Sequence, residues 1–363
     1  MPSLTTHAAT ITVNVSLATL ARGVAGFSTV LLLVPLATNS LNGVRVVEYT
    51  SLAAAQAAQT AGYISAGTLA AVTCAFAQVP SIESIKVGYA DLAGSPAETY
   101  ATALTACIAY DPDFYGVCIA VRTNTEIAAV GALVETNAKK MLFVFQSADS
   151  SWLDSGIPSG LSAMAAYERS VACYFATATE WADIALACNR LNADPDVISA
   201  PWRLFDAAGL TTATTITEEQ RLLAIANNCN VFAQYGDADF APAPGYNMAG
   251  RQIEQVVSAD WFATRIREKI EAIKLTRSNE FKKIPIDLAG QAIIEAGLKE
   301  LAAQAIAAGH FEEVVITPED LTSRTVLAAA IAAQRLTFRI DAQTVTDAWQ
   351  FTVNAYANTL PVS

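Results

Sequence analysis

Apolar residues recur along this chain at three different spacings, and each spacing predicts a different kind of element. Continuous apolar runs of strand length lie at residues 30–36, 114–121 (FYGVCIAV), 141–145 (MLFVF) and 171–175 (VACYF). Runs of this kind fit strands buried on both faces. Between the second and third runs the pattern turns helical. Thr123 and Glu126 form a capping box, predicting a helix that continues to about Thr136. Residues 114–145 therefore read as a βαβ unit with parallel strands and a right-handed crossover. A further helix is expected at about 180–191, containing Trp181, and an Ala-rich helix at 52–60 is flanked by short strand candidates at 44–48 and 85–87.

The two ends follow a period of two instead. Ile11, Val13, Val15 and Leu17 alternate with Thr12, Asn14 and Ser16, the pattern of a half-buried strand. Leu336, Phe338 and Ile340 alternate with Thr337 and Arg339. After a turn expected at residues 341–343, Val345, Trp349, Phe351 and Val353 alternate with polar partners, which predicts a closing β-hairpin. Strands so near the termini are edges: they either complete the chain's own sheet or pair with another chain.

Composition changes this picture in one respect. Of 363 residues, 53% are hydrophobic and only 15% are charged, against about 25% charged in an ordinary soluble domain. A lone monomer of this size would expose about 14,000 Å², which so few charges cover thinly. Either much of the surface faces other protein, or an Ala-rich core lies under an ordinary Ser/Thr/Gln surface. The net charge of -12 argues against a surface that binds nucleic acid as a whole. Cys74, Cys107, Cys118, Cys173, Cys188 and Cys229 form no CxxC pair, and several sit inside apolar runs, so they read as reduced core residues. No Lys or Arg precedes Arg22, so the basic region of a signal peptide is missing, and polar interruptions at Pro35, Asn39, Ser40, Asn42 and Gly43 argue against membrane insertion. These features suggest a chain made in a cytoplasm.

Candidate chemistry is sparse. The chain has two histidines, His7 and His310. A nucleophilic triad would have to centre on His310, more simply read as an imidazolium favoured by a helix C-terminus just past Gly309. No GxSxG, GxGxxG or Walker loop occurs. Asp237 and Asp239 beside Gly236 are followed by Pro242 and Pro244 rather than by calcium ligands, and read as turn residues. No metal or cofactor is implied. One charge cluster stands out: between Arg265 and Lys283 lie Arg265, Arg267, Lys269, Lys274, Arg277, Lys282 and Lys283 against only Glu268, Glu271 and Glu280. Phe262, Ile266, Ile270 and Ile273 recur at helical spacing, so most of these cations should stand on the opposite face, either merely solvated or meeting an acidic partner.

The segment from Asn227 to Leu275 carries the most information. It reads as a hydrophobic strand, a Gly/Pro/Asp-rich turn, a short strand after Gly250 and Arg251, and a long amphipathic helix opened by Asp260 and Trp261. A reciprocal capping box between Thr217 and Gln220 precedes it and starts a helix near Glu218. Running from Pro201 and Trp202 through Ala207, Ala208, Gly209, Thr217, Asn227, Asn230, Gly236, Gly250, Arg251, Asp260 and Trp261 to Ile284 and Pro285, this order resembles the C-terminal domain of contractile-tail sheath proteins of bacteriophages and related injection machines. The resemblance covers roughly residues 200–363, and more faintly the rest of the chain.

That resemblance implies an α/β fold, α+β overall, with a mixed sheet core containing βαβ units, a C-terminal strand-turn-strand-helix domain and extended terminal β-arms. It divides the chain into an N-terminal arm (1–20), an N-terminal sheath domain (21–200), a C-terminal sheath domain (201–335) and a C-terminal hairpin arm (336–363). It further implies a virion structural protein without a catalytic site, assembled in a host cytoplasm. Its partners would be its own copies, in hexameric rings stacked helically, then the tail tube, the baseplate and the tail terminator. In that family the terminal arms lend strands to neighbouring subunits, and a basic helix faces an acidic tube, here Arg265, Arg267, Lys269, Lys274 and Arg277. Contraction would drive the tube through the host envelope and lead to genome ejection. The main alternative is a soluble enzyme or ligand-binding protein whose site lies at the strand C-terminal ends, near Arg122, Thr123 and residues 146–149. A shell or tail-tube subunit shares the assembly logic but suits a shorter, more β-rich chain.

Overall fold

The apolar run at residues 30–36 becomes the inner strand of a large sheet, with Leu31, Leu32 and Leu33 fully buried in a computed structural model of the chain. The structure describes residues 8–12, 26–37, 40–154, 156–211, 216–235, 238–333 and 335–345. In chain order the elements are β1 (Ala8–Thr12), β2 (Val30–Pro35), β3 (Val46–Tyr49), α1 (Leu52–Thr60), α2 (Ala66–Phe76), β4 (Ile85–Ala90), α3 (Tyr100–Tyr110), β5 (Gly116–Ile119), α4 (Asn124–Thr136), β6 (Leu142–Ser147), β7 (Ser170–Tyr174) and α5 (Ala182–Leu191). The second half continues with α6 (Glu218–Ala226), β8 (Cys229–Tyr235), β9 (Ala238–Ala243), α7 (Ile253–Asn279), α8 (Leu288–Ala307), β10 (Phe311–Pro318), α9 (Arg324–Ala333) and β11 (Phe338–Thr344).

Eight strands form one mixed sheet in the order β3-β4-β2-β5-β6-β7-β8-β9. The six inner strands are parallel, and β3 and β9 close the two edges antiparallel. The expected βαβ unit is β5-α4-β6, with Gly116 opposite Leu142 and Val117 opposite Phe143. One core packs on each face of the sheet. The fold class is therefore mixed α/β as expected. A division of the chain at residue 200 does not divide this sheet, because β8 and β9 extend it beside β7.

Helix starts follow the cap chemistry. At α6, Thr217 accepts from Gln220 N at 3.2 Å while Gln220 returns to Thr217 N at 2.9 Å, the full reciprocal box. At α4 only half a box forms. Thr123 accepts from Glu126 N, but the Glu126 carboxylate receives Tyr100 N at 3.0 Å and so caps the neighbouring α3. The six cysteines are buried free thiols. Burial pushes the Cys74 thiol up to about 12, which keeps it protonated and unreactive.

Three expectations are corrected. No strand follows Gly250 and Arg251. The partner of β8 is β9, seven residues nearer, and its Pro242 is tolerated because β9 is an edge strand with one unpaired side. Residues 247–251 form a tight turn instead, with Asn247 Oδ1 accepting Arg251 N at 2.9 Å, Asn247 Nδ2 donating to Glu168 O, and one bridge between Tyr246 and Gln252. The long helix starts at Ile253 rather than at Asp260, so Asp260 and Trp261 lie inside it and face the core. Finally, no turn occurs at residues 341–343. Strand β11 runs straight through them because Ile340, Ala342 and Thr344 are all buried, while outward-facing Asp341 pairs with Arg339 and Gln343 reaches Glu312 on β10.

The second sheet is small and antiparallel, in the order β1-β11-β10. Helix α8 packs between β10 and α7. Gly297 makes the α7–α8 contact close, since a Cβ there would sit 2.5 Å from Ile273 Cδ1. Helix α8 ends in a Schellman turn, with Gly309 at φ +80° and His310 N bonded to Ala305 O. Among the described residues no helix is long and apolar enough to cross a membrane.

Candidate assembly surfaces

The terminal strands meet in the small sheet. Strand β11 sits in its middle, with Ile340 facing Ile316 of β10 on one side and Ile11 of β1 on the other. Five β1 residues are paired, from Ala8 opposite Gln343 to Thr12 opposite Arg339. Phe338 and Ile340 are buried, and Leu336 and Val345 at the ends of the strand are half-buried. Val13, Val15, Leu17, Trp349, Phe351 and Val353 lie outside the described residues. Within one chain, then, β1 completes the chain's own sheet, and β10 presents the other edge.

The basic segment does not present one cationic face. Arg265 is folded inward, donating to Asp196 Oδ1 and Oδ2 at 2.7 Å each and to Glu268 at 2.7 Å. Burial alone would raise the Asp196 carboxyl, but bonds from Arg265 and from Trp261 Nε1 hold it below the usual carboxylate range. Lys269 is paired with Glu300 of α8 at 2.7 Å. The C-terminal half differs. Arg267 is exposed, and Lys274, Arg277, Lys283 and Arg335 surround an open cleft of about 480 Å³ floored by Ile270, Ile294 and Phe338. Among the described residues no carboxylate lines this cleft, and none of Arg267, Lys274, Arg277, Lys283 and Arg335 makes an ion pair. Helical spacing in the sequence could not separate paired from unpaired cations, because Asp196 and Glu300 come from elsewhere in the chain.

His310 is not the imidazolium expected at a helix end. It is 2% exposed and stacked on Trp261 at 4.3 Å. A carbonyl can only accept, so Nε2 carries the proton and donates to Pro195 O at 2.6 Å, and Nδ1 accepts from Ser258 Oγ at 2.7 Å. Desolvation lowers the His310 pKa, which suits this neutral tautomer. The cavity beside Ser258 and His310 holds about 20 Å³, room for one water and no substrate.

The strand ends of the alternative reading are likewise occupied. Arg122 donates to Asp183 at 2.8 Å and to the Ala178 and Glu180 carbonyls, and lies over the Trp181 ring. Gln146 bridges Thr177 O and Ala182 N, supplying the cap that Trp181 cannot give α5. Asp149 caps its own turn through Ser151. These groups hold the fold together. Among the described residues no group of three or more His, Cys, Asp or Glu side chains is placed to hold a metal ion.

Solved structures place this architecture. A chain of the anti-feeding prophage baseplate, solved with sixfold symmetry, superposes with a TM-score of 0.64 at 10% identity, over 96% of this chain and 100% of its own. The helical sheath of the same prophage in its contracted state gives 0.64 at 12% identity, over 96% and 97%. The contracted sheath complex of an extracellular contractile injection system, PVC, gives 0.63 at 10%, over 96% and 99%. The chain has a contractile-sheath fold. No family model matches the sequence, and no curated protein matches it either. The shared fold covers 96% of this chain at only 10–12% identity.

Proposed function

We propose that this chain is the structural subunit of a contractile tail sheath, polymerising in rings around a tube and contracting to drive that tube through an envelope. The observation that supports this best is the correspondence with sheath and baseplate chains, 96% of this chain against 97–100% of theirs. The subunit has no catalytic role. Its work is mechanical: the eight-stranded sheet and its helices move as one body, and the driving free energy is stored in contacts between bodies.

Subunits are linked by exchange of terminal strands, with residues 1–20 of one copy supplying the strand beside β11 of another. The C-terminal segment around Val345, Trp349, Phe351 and Val353 serves as the second arm. The tube is an acidic partner of α7, met by its unpaired cations Arg267, Lys274 and Arg277, while Arg265 and Lys269 serve the fold. Baseplate and terminator proteins cap the two ends of the polymer.

Negative-stain microscopy and sedimentation of the full chain and of a chain lacking residues 1–20 test the central claim. The full chain is expected to form rings or tubes, and the truncated chain to remain a folded, non-polymerising body. Normal polymers from the truncated chain would eliminate strand exchange by this arm.

A further inference from the structure

The α7–α8 turn ends in an exposed aromatic side chain. Phe281 is 99% exposed and sits at φ +57°, in the left-handed region that a bulky residue adopts only at a cost. Its backbone is fixed, with Phe281 N bonded to Ser278 O and Lys282 N to Arg277 O. Lys282 and Lys283 follow it, both exposed. The tip thus carries one aromatic ring, Lys282 paired with Glu280 at 3.0 Å, and Lys283, which makes no ion pair among the described residues, and the ring gains nothing from its own subunit.

Another part of the surface carries the opposite set. A cavity of about 400 Å³ is walled by Glu48, Glu83 and Asp194, and among the described residues none of these three carboxylates makes an ion pair. Directly after Asp194, Val197 is 70% and Ile198 52% exposed. They are presented rigidly, because both their N–H groups bond to Asp194 O and Asp196 is held by Arg265 and Trp261. Two bare aliphatic side chains thus follow one of three carboxylates that, among the described residues, no cation neutralises, although Glu48 accepts from Ser84 Oγ at 2.5 Å and Asp194 from Asp196 N at 2.9 Å.

The tip cannot reach this surface in its own subunit. Arg265, which also lines the cavity, and the end of α7 at Asn279 are 14 residues apart on one straight helix, about 21 Å along the axis. From this geometry we infer that a second copy of the chain receives the tip: Phe281 packs on Val197 and Ile198, and Lys282 and Lys283 enter the acidic cavity. The contact joins two different patches, so it is head-to-tail and propagates into a ring or a filament. It goes beyond the sheath reading above, which names linking arms but no contact between bodies.

Charge reversal tests it on the full chain, by light scattering and sedimentation velocity across a concentration series. Lys282→Glu/Lys283→Glu and, separately, Glu83→Lys/Asp194→Lys are each expected to raise the concentration of half-assembly at least tenfold. Phe281→Ser is expected to raise it by a similar factor without a charge change. An equimolar mixture of the two reversed chains restores assembly to within about threefold of wild type, since each then offers the other a complementary face. Melting temperatures close to wild type confirm that the variants are folded. Assembly of either reversed chain at the wild-type concentration overturns the proposal, as does a folded mixture that stays dispersed or a wild type that stays monomeric up to about 1 mM. A chain lacking residues 1–20 is not rescued by such mixing, so failure of the tip contact and failure of arm exchange are told apart.

Discussion

Removing the Asp260 carboxylate should cost this protein several kcal/mol of stability. Arg169 grips it with two parallel bonds, Nη2 to Oδ1 at 2.6 Å and Nη1 to Oδ2 at 3.0 Å, and Tyr115 Oη donates to Oδ2 at 3.0 Å. All three groups are nearly out of solvent, with the Asp260 side chain 6% and the Arg169 side chain 15% exposed. Asp260→Ala therefore leaves a buried guanidinium and a buried hydroxyl unpaired at once. Breaking such a pair costs about 3–5 kcal/mol, and an orphaned hydroxyl about 1–3 kcal/mol. The two penalties overlap, because water entering the gap serves both groups, so about 4 kcal/mol is expected for the sum. Urea unfolding followed by the fluorescence of neighbouring Trp261 measures it, with Arg169→Met/Asp260→Leu as the control. That double variant should recover most of the loss, since no charge is left behind. A cost below about 1 kcal/mol for Asp260→Ala, or a double variant as damaged as the single one, would refute the reasoning. Tyr115 and Arg169 lie at the starts of β5 and β7, so this one carboxylate fastens the long helix to the sheet.

Two further outcomes follow from other sites. His310 is held neutral by burial, so the unfolded chain binds a proton near pH 6 that the folded chain refuses; stability should fall as pH drops through about 6.5, by up to about 1.4 kcal/mol per pH unit. Burial moves Asp260 the other way, raising it to about 6 against the pull of Arg169, and a carboxyl raised from 3.8 adds stability as pH falls through that window. The His310 contribution is therefore read as the difference between wild type and His310→Gln, and equal slopes for both would remove it. On the tube side, Arg267→Glu/Lys274→Glu should weaken cosedimentation with an acidic tube at least tenfold at low salt, with less difference as salt rises. Binding that is equal for both chains and insensitive to salt would detach α7 from the tube interface.

What the sequence disclosed depended on whether the deciding interaction was local. The Thr217–Gln220 box is local, and the helix it predicts near Glu218 is present over Glu218–Ala226. Helix α1 and the end of α4 were likewise legible from short-range pattern. The start of α7 was not, because Gln252 offers no side-chain cap and the helix is launched by the Asn247–Arg251 turn, which depends on Glu168 from far up the chain. The supposed turn at residues 341–343 failed for a related reason. Asp341 and Gln343 carry turn chemistry, yet strands on both sides of β11 supply ladder partners that override it. The basic helix was visible as a cluster, but its division into paired and unpaired cations is set by Asp196 and Glu300, which no spacing rule connects to it. The Phe281 tip carried no signal at all, since a Phe in a helical run reads as core until its exposure is known.

Strand exchange and the pairing of β1 with β11 inside one chain are compatible on energetic grounds. The five paired residues of β1 contribute a net of about 0.5–1.5 kcal/mol per hydrogen bond, and a neighbour's β1 in the same register would make the same bonds. Exchange therefore costs almost nothing in contacts, and the choice is left to connector length and local concentration. From Thr12 to Gly26 the chain can span at most roughly 50 Å, enough to reach an adjacent body. An isolated subunit keeps its own strand because the effective concentration of a tethered segment is high. In a polymer of the proposed kind the neighbour's strand would be tethered just as closely, and every subunit would give and receive one. The balance then turns on whether the bodies are held side by side, which places the decision in the contacts between bodies rather than in the arms. It follows that disabling the body contact should return β1 to its own sheet without unfolding anything. Hydrogen exchange at residues 338–344 reads this directly: β11 should stay protected in dispersed and assembled chains alike, whereas loss of protection in the dispersed chain would show that β1 pairs only in trans.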